Sequence, residues 1–338
     1  MNEKLAVENR HVPWLKARAL LATGAMLALA ACGGSGGFSE ESPASGTTVL
    51  TGQYLDGAVE GLGYDTATQT GTTDADGQFK YVQGETVSFR LYGQALSSSI
   101  GFSTLTPGDT GVEETNLDRL VNQLRFLQTV DVDNSPANGI RLPVVAGAFS
   151  IDFSQRIEDF ESDVDVQAFL TAHAGGRPLV TVQDAVAHFS QSINTVSVDN
   201  VVSFSGRTAT SAITNSACIN NIQAQQRYAF GPTSVTLSGS DGFDNNGGNC
   251  TVKPDANEVI AYADIGVGDF LSCLPGCNYK DVNFIRYGLD VDNRTVVELS
   301  WHTPGTQKVR YIKRVLVDPG APGNALALTT FKETITFD

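Results

Sequence analysis

The chain is poor in basic charge, in histidine and in long apolar runs. Its 338 residues hold 22 Lys and Arg against 37 Asp and Glu, a formal charge of −15. A body this acidic repels phosphate backbones, which sets nucleic acid aside as a partner. The longest apolar run, residues 19–31, is short of the roughly 20 residues that a membrane-spanning helix needs. No His-Glu-x-x-His, phosphate loop or dinucleotide fingerprint is present. The one Gly-x-Ser-x-Gly falls at residues 33–37, in a glycine-rich stretch and not on a strand-to-helix elbow, so it reads as linker. Three histidines follow the first apolar run: His173, His188 and His302. None stands at a fixed spacing from a candidate nucleophile. The expectation is a protein that is not an enzyme.

What is present starts with an address. Lys4, Arg10, Lys16 and Arg18 precede the apolar run, and small residues end it. That order marks a secretory signal. Leu29-Ala30-Ala31-Cys32 resembles the lipobox of bacterial lipoproteins, whose cysteine is acylated and becomes the new N-terminus. The resemblance implies a signal peptide over residues 1–31, a palmitate-type lipid on Cys32 and a tether over residues 32–46. Gly33 is not the aspartate associated with inner-membrane retention, so the resemblance implies the outer membrane of the cell envelope. The membrane partner would be reached through lipid alone, and several acyl chains anchor stably where one is marginal.

Four cysteines remain: Cys218, Cys250, Cys273 and Cys277. An even number in an exported body reads as disulfides, and four allow three pairings. The favoured one closes a Leu-Pro-Gly turn with Cys273–Cys277 and ties two strands with Cys218–Cys250. The rival is zinc, but the spacing is wrong for paired knuckles and the compartment is oxidising.

Periodicity divides the remainder into three segments. Residues 47–105 read as short strands broken by Gly, Asp and Asn, with Val87, Phe89 and Leu91 alternating at period two. Asp56-Gly57-Ala58-Val59-Glu60-Gly61-Leu62, then the Thr-Asp-Ala-Asp-Gly-Gln-Phe turn, resembles the transthyretin-like sandwich of carboxypeptidase regulatory domains and Cna B-type repeats. The resemblance implies a stalk or spacer. Residues 106–198 turn helical. Thr115 with Asp118 resembles a capping box, and Leu117, Leu120, Val121, Leu124 and Leu127 recur at helical spacing. Further helices are expected over 163–172 and from Thr181, the latter burying Val182, Ala185, Val186, Phe189 and Ile193. The order of sandwich turn, helix, Asp131-Val132-Asp133-Asn134 and His188-Phe189 is similar to a group of bacterial surface lipoproteins. Residues 199–338 carry eight strand candidates: 201–208, 227–230, 234–238, 258–265, 283–291, 295–301, 308–317 and 327–336. The expected class is mainly β with a helical middle: a small β-sandwich, a helical connector and a disulfide-braced antiparallel β-barrel or sandwich.

Four acidic turns offer oxygens to Ca²⁺: Asp74 with Asp76, Asp131 with Asp133, Asp241 with Asp244, and Asp290 with Asp292. The same residues are default turn formers, because Asp and Asn bond their own backbone. The best metal candidate is Asp131 with Asp133 and Asn138, calcium there being structural. The reading is a lipid-anchored surface protein with an adhesion, binding or structural role toward a protein, glycan or small apolar ligand. The alternatives are a lipocalin-like carrier and a hydrolase using His302 or His188.

Overall fold

The computed structural model describes residues 48–109, 116–147, 149–196, 204–265, 273, 277–289, 293–302, 306–316 and 329–338. The expected signal and tether, Cys32, Thr115, Asp290 and Asp292 lie outside the described residues. The chain from Thr48 to Asp338 forms one compact unit.

Two small sheets open it. Strands β1 (Val49–Tyr54), β5 (Gln78–Val82) and β8 (Thr104–Leu105) form the first, in the order β5-β1-β8. Strands β3 (Gly63–Asp65), β4 (Thr70–Thr72), β6 (Thr86–Leu91) and β7 (Gln94–Ile100) form the second, in the order β4-β3-β6-β7. Strand β2 (Val59–Glu60) pairs instead with β9 (Ile140–Arg141), in parallel. Period two explains the arrangement: Val87, Phe89 and Leu91 are buried while Thr86 and Arg90 are exposed. The inward rings meet between the sheets, with Tyr54 at 4.5 Å and Phe79 at 5.1 Å from Phe89. Burying each such side chain is worth about 1.5–3 kcal/mol. The Asp74 turn is a backbone device. Asp74 Oδ1 accepts from Asp76 N and Gln78 N at 3.0 and 2.8 Å. A Cβ on Gly77 would meet Tyr54 O at 2.7 Å, so only glycine fits there. Lys80, the only lysine between residues 48 and 109, reaches the Thr51 hydroxyl on the surface.

Helix α1 (Leu117–Val130) runs between this sandwich and the C-terminal sheet, and is buried on nearly every side. Phe126, Leu127 and Val130 join the sandwich core, while Leu117, Leu120, Val121 and Leu124 join the core of the sheet. Asn116 caps it, accepting from Asp118 N and Arg119 N. The cap therefore falls one residue after the expected Thr115. Helices α2 (Ile157–Phe160), α3 (Val164–His173) and α4 (Val182–Asn194) follow. Asp163 caps α3 and Thr181 caps α4, where expected. The short α2 was not anticipated.

The C-terminal segment is one eight-stranded antiparallel sheet in the order β15-β12-β11-β10-β19-β18-β17-β16. Its strands are β10 (Thr208–Asn215), β11 (Ala224–Phe230), β12 (Ser234–Gly239), β15 (Ala256–Ala261), β16 (Phe284–Leu289), β17 (Thr295–His302), β18 (Lys308–Val315) and β19 (Thr329–Phe337). A hairpin, β13 (Phe243–Asn246) and β14 (Asn249–Val252), stands off it, and the one-turn helix α5 (Tyr279–Val282) leads into β16. β15 and β16 are the two edges, so the sheet is open and the barrel alternative is not realised. Its first strand among the described residues is 208–215; of the 201–208 candidate, 204–207 form a turn and 201–203 lie outside the described residues. Thr208-Ala-Thr-Ser-Ala-Ile-Thr-Asn holds a single large apolar residue, Ile213, which alternates inward with Ala209 and Ser211. The 258–265 candidate ends early, at Ala261, in a short 3₁₀ turn over Tyr262–Asp264. The disulfides are Cys218–Cys250 and Cys273–Cys277.

Candidate functional site

Buried polar groups gather where the three segments meet. The β1–β2 turn places Asp56 fully inside. Gln128 on α1 donates to both its oxygens, at 3.1 and 3.3 Å. Burial pushes this carboxyl up to about 8, against the pull of Gln128. From α4, His188 Nε2 lies 3.1 Å from Asp56 O and 3.9 Å from Asp56 Oδ1. Burial lowers the His188 pKa, while the Asp56 carbonyl and the charge of Asp131 oppose that shift. Gly57 N donates to Ser192 Oγ at 2.8 Å, and Ser192 Oγ donates to the His188 carbonyl. The serine hydroxyl thus bonds the histidine backbone and not its ring. A relayed Ser–His–Asp arrangement is not formed by these three residues.

A second buried acid joins the sandwich to the sheet. Thr106 N and Thr106 Oγ1 each donate to Asp109 Oδ2 at 2.9 Å, and Trp301 Nε1 donates to Asp109 Oδ1 at 3.0 Å. Burial raises Asp109 to about 6, while its three donors oppose the rise. Gly108 lies flat on the indole: a Cβ there would meet Trp301 at 2.6 Å. The Trp301 ring stacks on Phe189 of α4, centroids 6.0 Å apart.

A third contact joins helices to sheet. Arg314 on β18 is buried and pairs with Asp118 of α1 and with Glu158 of α2, the latter at 2.9 Å. Arg125 donates to Val180 O at 2.8 Å and to Glu161 at 2.9 Å. No family model, curated protein or solved structure matches the chain. Asp56, Asp109 and Arg314 each bond side chains from a different segment, and together they fasten the junction.

The expected metal residues are placed as follows. Asp131 is buried at the end of α1, its oxygens accepting from Arg141 N at 2.9 Å and Ser135 N at 2.7 Å. Asp133 accepts from Asn138 Nδ2 at 3.2 Å and from Ser135 N at 3.1 Å. Asn138 holds Asp133 below the usual carboxylate range, and burial lifts Asp131. The three residues are brought together, as a turn. Asp241 pairs with Lys253 at 3.8 Å, and Asp244 is exposed on β13. Among the described residues, no group of three or more His, Cys, Asp or Glu is placed to hold a metal. His302 Nε2 bonds Thr306 O at 3.0 Å, and His173 lies against Phe149 and Phe169.

A groove of about 540 Å³ opens between α4 and β16. Val186, Ala187 and Ile193 form one wall, and Phe284, Ile285 and Tyr287 the other, with Lys280 and Arg286 at the rim. Its size suits a small ligand or a few peptide residues. Asp56, Asp109, Trp301 and Arg314 were not anticipated. The available signal was α1 itself, where Asn122, Gln123, Arg125 and Gln128 interrupt the apolar faces and leave no clean polar side.

Proposed function

We propose that the chain is a lipid-anchored protein of the bacterial outer membrane, with a non-catalytic adhesion, binding or structural role. The observation that carries this reading is the accounting of cysteines. Cys218–Cys250 and Cys273–Cys277 use four of five, and the one left over is Cys32, after Leu29-Ala30-Ala31. Two disulfides fit an oxidising compartment, and a single remaining thiol at a lipobox-like position fits acylation. The body, on this reading, is a rigid block whose interior acids fasten its parts. Partners would meet its surface, and the α4–β16 groove is the place for a small or peptide-like one. The transthyretin-like resemblance of residues 47–105 supports a spacer role for that segment.

The test is expression of the full chain in a Gram-negative host fed an alkyne-bearing palmitate analogue. Label is expected on the wild-type protein, in the outer-membrane fraction, and is expected to vanish in Cys32→Ser. Label that persists in Cys32→Ser, or an unlabelled wild-type protein, would defeat the reading.

A further inference from the structure

The two edges of the eight-stranded sheet are treated differently. At β16, helix α4 packs on the first part of the strand, where Ser190 Oγ donates to Ile285 O at 2.8 Å, while Gly288 and Leu289 stay exposed. At β15 nothing comparable occurs among the described residues. Every residue of β15 is exposed except Ile260, which is half-buried. Val259 is 68% exposed. The phase of the ladder is fixed by Tyr262 N, which donates to Thr233 O at 3.0 Å and extends the β12–β15 register by one pair. Bonded pairs alternate along an antiparallel ladder. The main-chain groups of Glu258 and Ile260 therefore point to β12, and those of Asn257, Val259 and Ala261 point outward. Edge strands are commonly guarded by Lys, Pro or an inward charge at such positions. Asn257, Val259 and Ala261 supply none of these.

We propose that β15 is a self-association edge, pairing antiparallel with β15 of a second copy about a twofold axis at Val259. The register is self-complementary. Val259 meets its own counterpart in a bonded pair, and Asn257 meets Ala261 of the partner subunit, so every outward group finds a mate. Glu258, the only charged residue of the strand, falls opposite Ile260 of the partner subunit. The two glutamates lie diagonally, about 7–8 Å apart. Centring the axis on Glu258 would set like charges directly opposite and would also have the wrong hydrogen-bond phase. Shifting it to Asn257 or Ala261 shortens the overlap. The pairing also covers the exposed Val259 side chain. An interface of this size is small, so a micromolar dimer is expected.

The test uses the full chain carrying Cys32→Ser, which keeps it unlipidated, in sedimentation velocity over a concentration series. A monomer–dimer equilibrium is expected. Val259→Pro removes an outward N–H without touching the β12 ladder, and Val259→Lys installs a guard. Each should weaken the dimer about tenfold or more, with unchanged circular dichroism. If the proline variant fails to fold, the lysine variant decides alone. Val259→Cys should cross-link on mild oxidation, since directly opposed bonded residues have Cα atoms about 5.5 Å apart, within disulfide reach. Glu258→Cys should not. A chain that stays monomeric at all concentrations overturns the proposal. So does a dimer that survives the lysine variant, or one that cross-links at 258 and not at 259.

Discussion

Trp301 donates its indole N–H to Asp109 across 192 positions of chain, at 3.0 Å, inside the protein. The bond joins the sandwich to the C-terminal sheet, and Asp109 also holds both donors of Thr106. Removing the carboxylate strands three buried donors at once. Asp109→Ala is therefore expected to cost about 2–4 kcal/mol, measured by urea unfolding. The only other tryptophan is Trp14. Fluorescence of a chain that starts at residue 32 thus reports Trp301 alone. Its transition should coincide with that of far-ultraviolet circular dichroism, because sandwich and sheet share this fastening. Separate transitions would mean that the segments unfold independently.

Asp56 predicts a stability that falls as pH rises. Its carboxyl is raised from 3.8 to about 8 by burial. Between those values the folded state binds more protons than the unfolded one, so stability is lost with rising pH up to the folded pKa. Asp109 contributes in the same direction, but only up to about 6. His188 and His302, both lowered chiefly by burial, contribute in the opposite direction, an effect that fades above their unfolded value of 6.5. Over about pH 7 to 8 the Asp56 value of about 8 lies in range, and a loss of about 1 kcal/mol is expected from it. Urea midpoints should fall over that interval in the wild type and stay level in Asp56→Asn. A slope that persists in the variant would assign the effect elsewhere.

The two disulfides should differ in weight. Cys218 and Cys250 are separated by 32 positions, Cys273 and Cys277 by 4. Loop-closure entropy predicts about 3–4 kcal/mol for the first and about 2 kcal/mol for the second. Paired serine variants, Cys218→Ser with Cys250→Ser and Cys273→Ser with Cys277→Ser, check the order by thermal unfolding. The first pair should also expose the β13–β14 hairpin to proteolysis, since Cys250 ties that hairpin to the turn after β10.

The elements that sequence reading located share strong local signals. α4 shows a capping threonine and an apolar stripe at Val186, Phe189 and Ile193, and β6 alternates Val87, Phe89 and Leu91. The strand over Thr208–Asn215 was misplaced because its inward residues include only one large apolar side chain, Ile213. The junction was harder still. Asp56 and Asp109 look like ordinary turn acids, and nothing local says that one will face Gln128 and the other Trp301, since those contacts span 72 and 192 positions. The Asp74 and Asp131 clusters are turns, whereas Asp244 lies on β13; an Asx turn and a calcium loop use the same residues, and only the direction of the oxygens separates them.

That direction makes the Asp131 turn decidable by experiment. Both oxygens of Asp131 accept backbone N–H groups, from Arg141 and Ser135, and so fasten the end of α1 to the end of β9 and to the Ser135 turn. Asp133 is on the surface with Asn138. As a turn, the two acids are unequal. Asp131→Ala should cost about 2–4 kcal/mol by leaving two amides without acceptors, and Asp133→Ala should cost little. A chelator should leave the thermal midpoint where it is. As a calcium site the two would act together: both variants would lower the midpoint similarly in calcium, and the chelator would reproduce their effect on the wild type. Unequal variants with a chelator-insensitive midpoint are the expected result, because the oxygens a cation would need already hold the backbone.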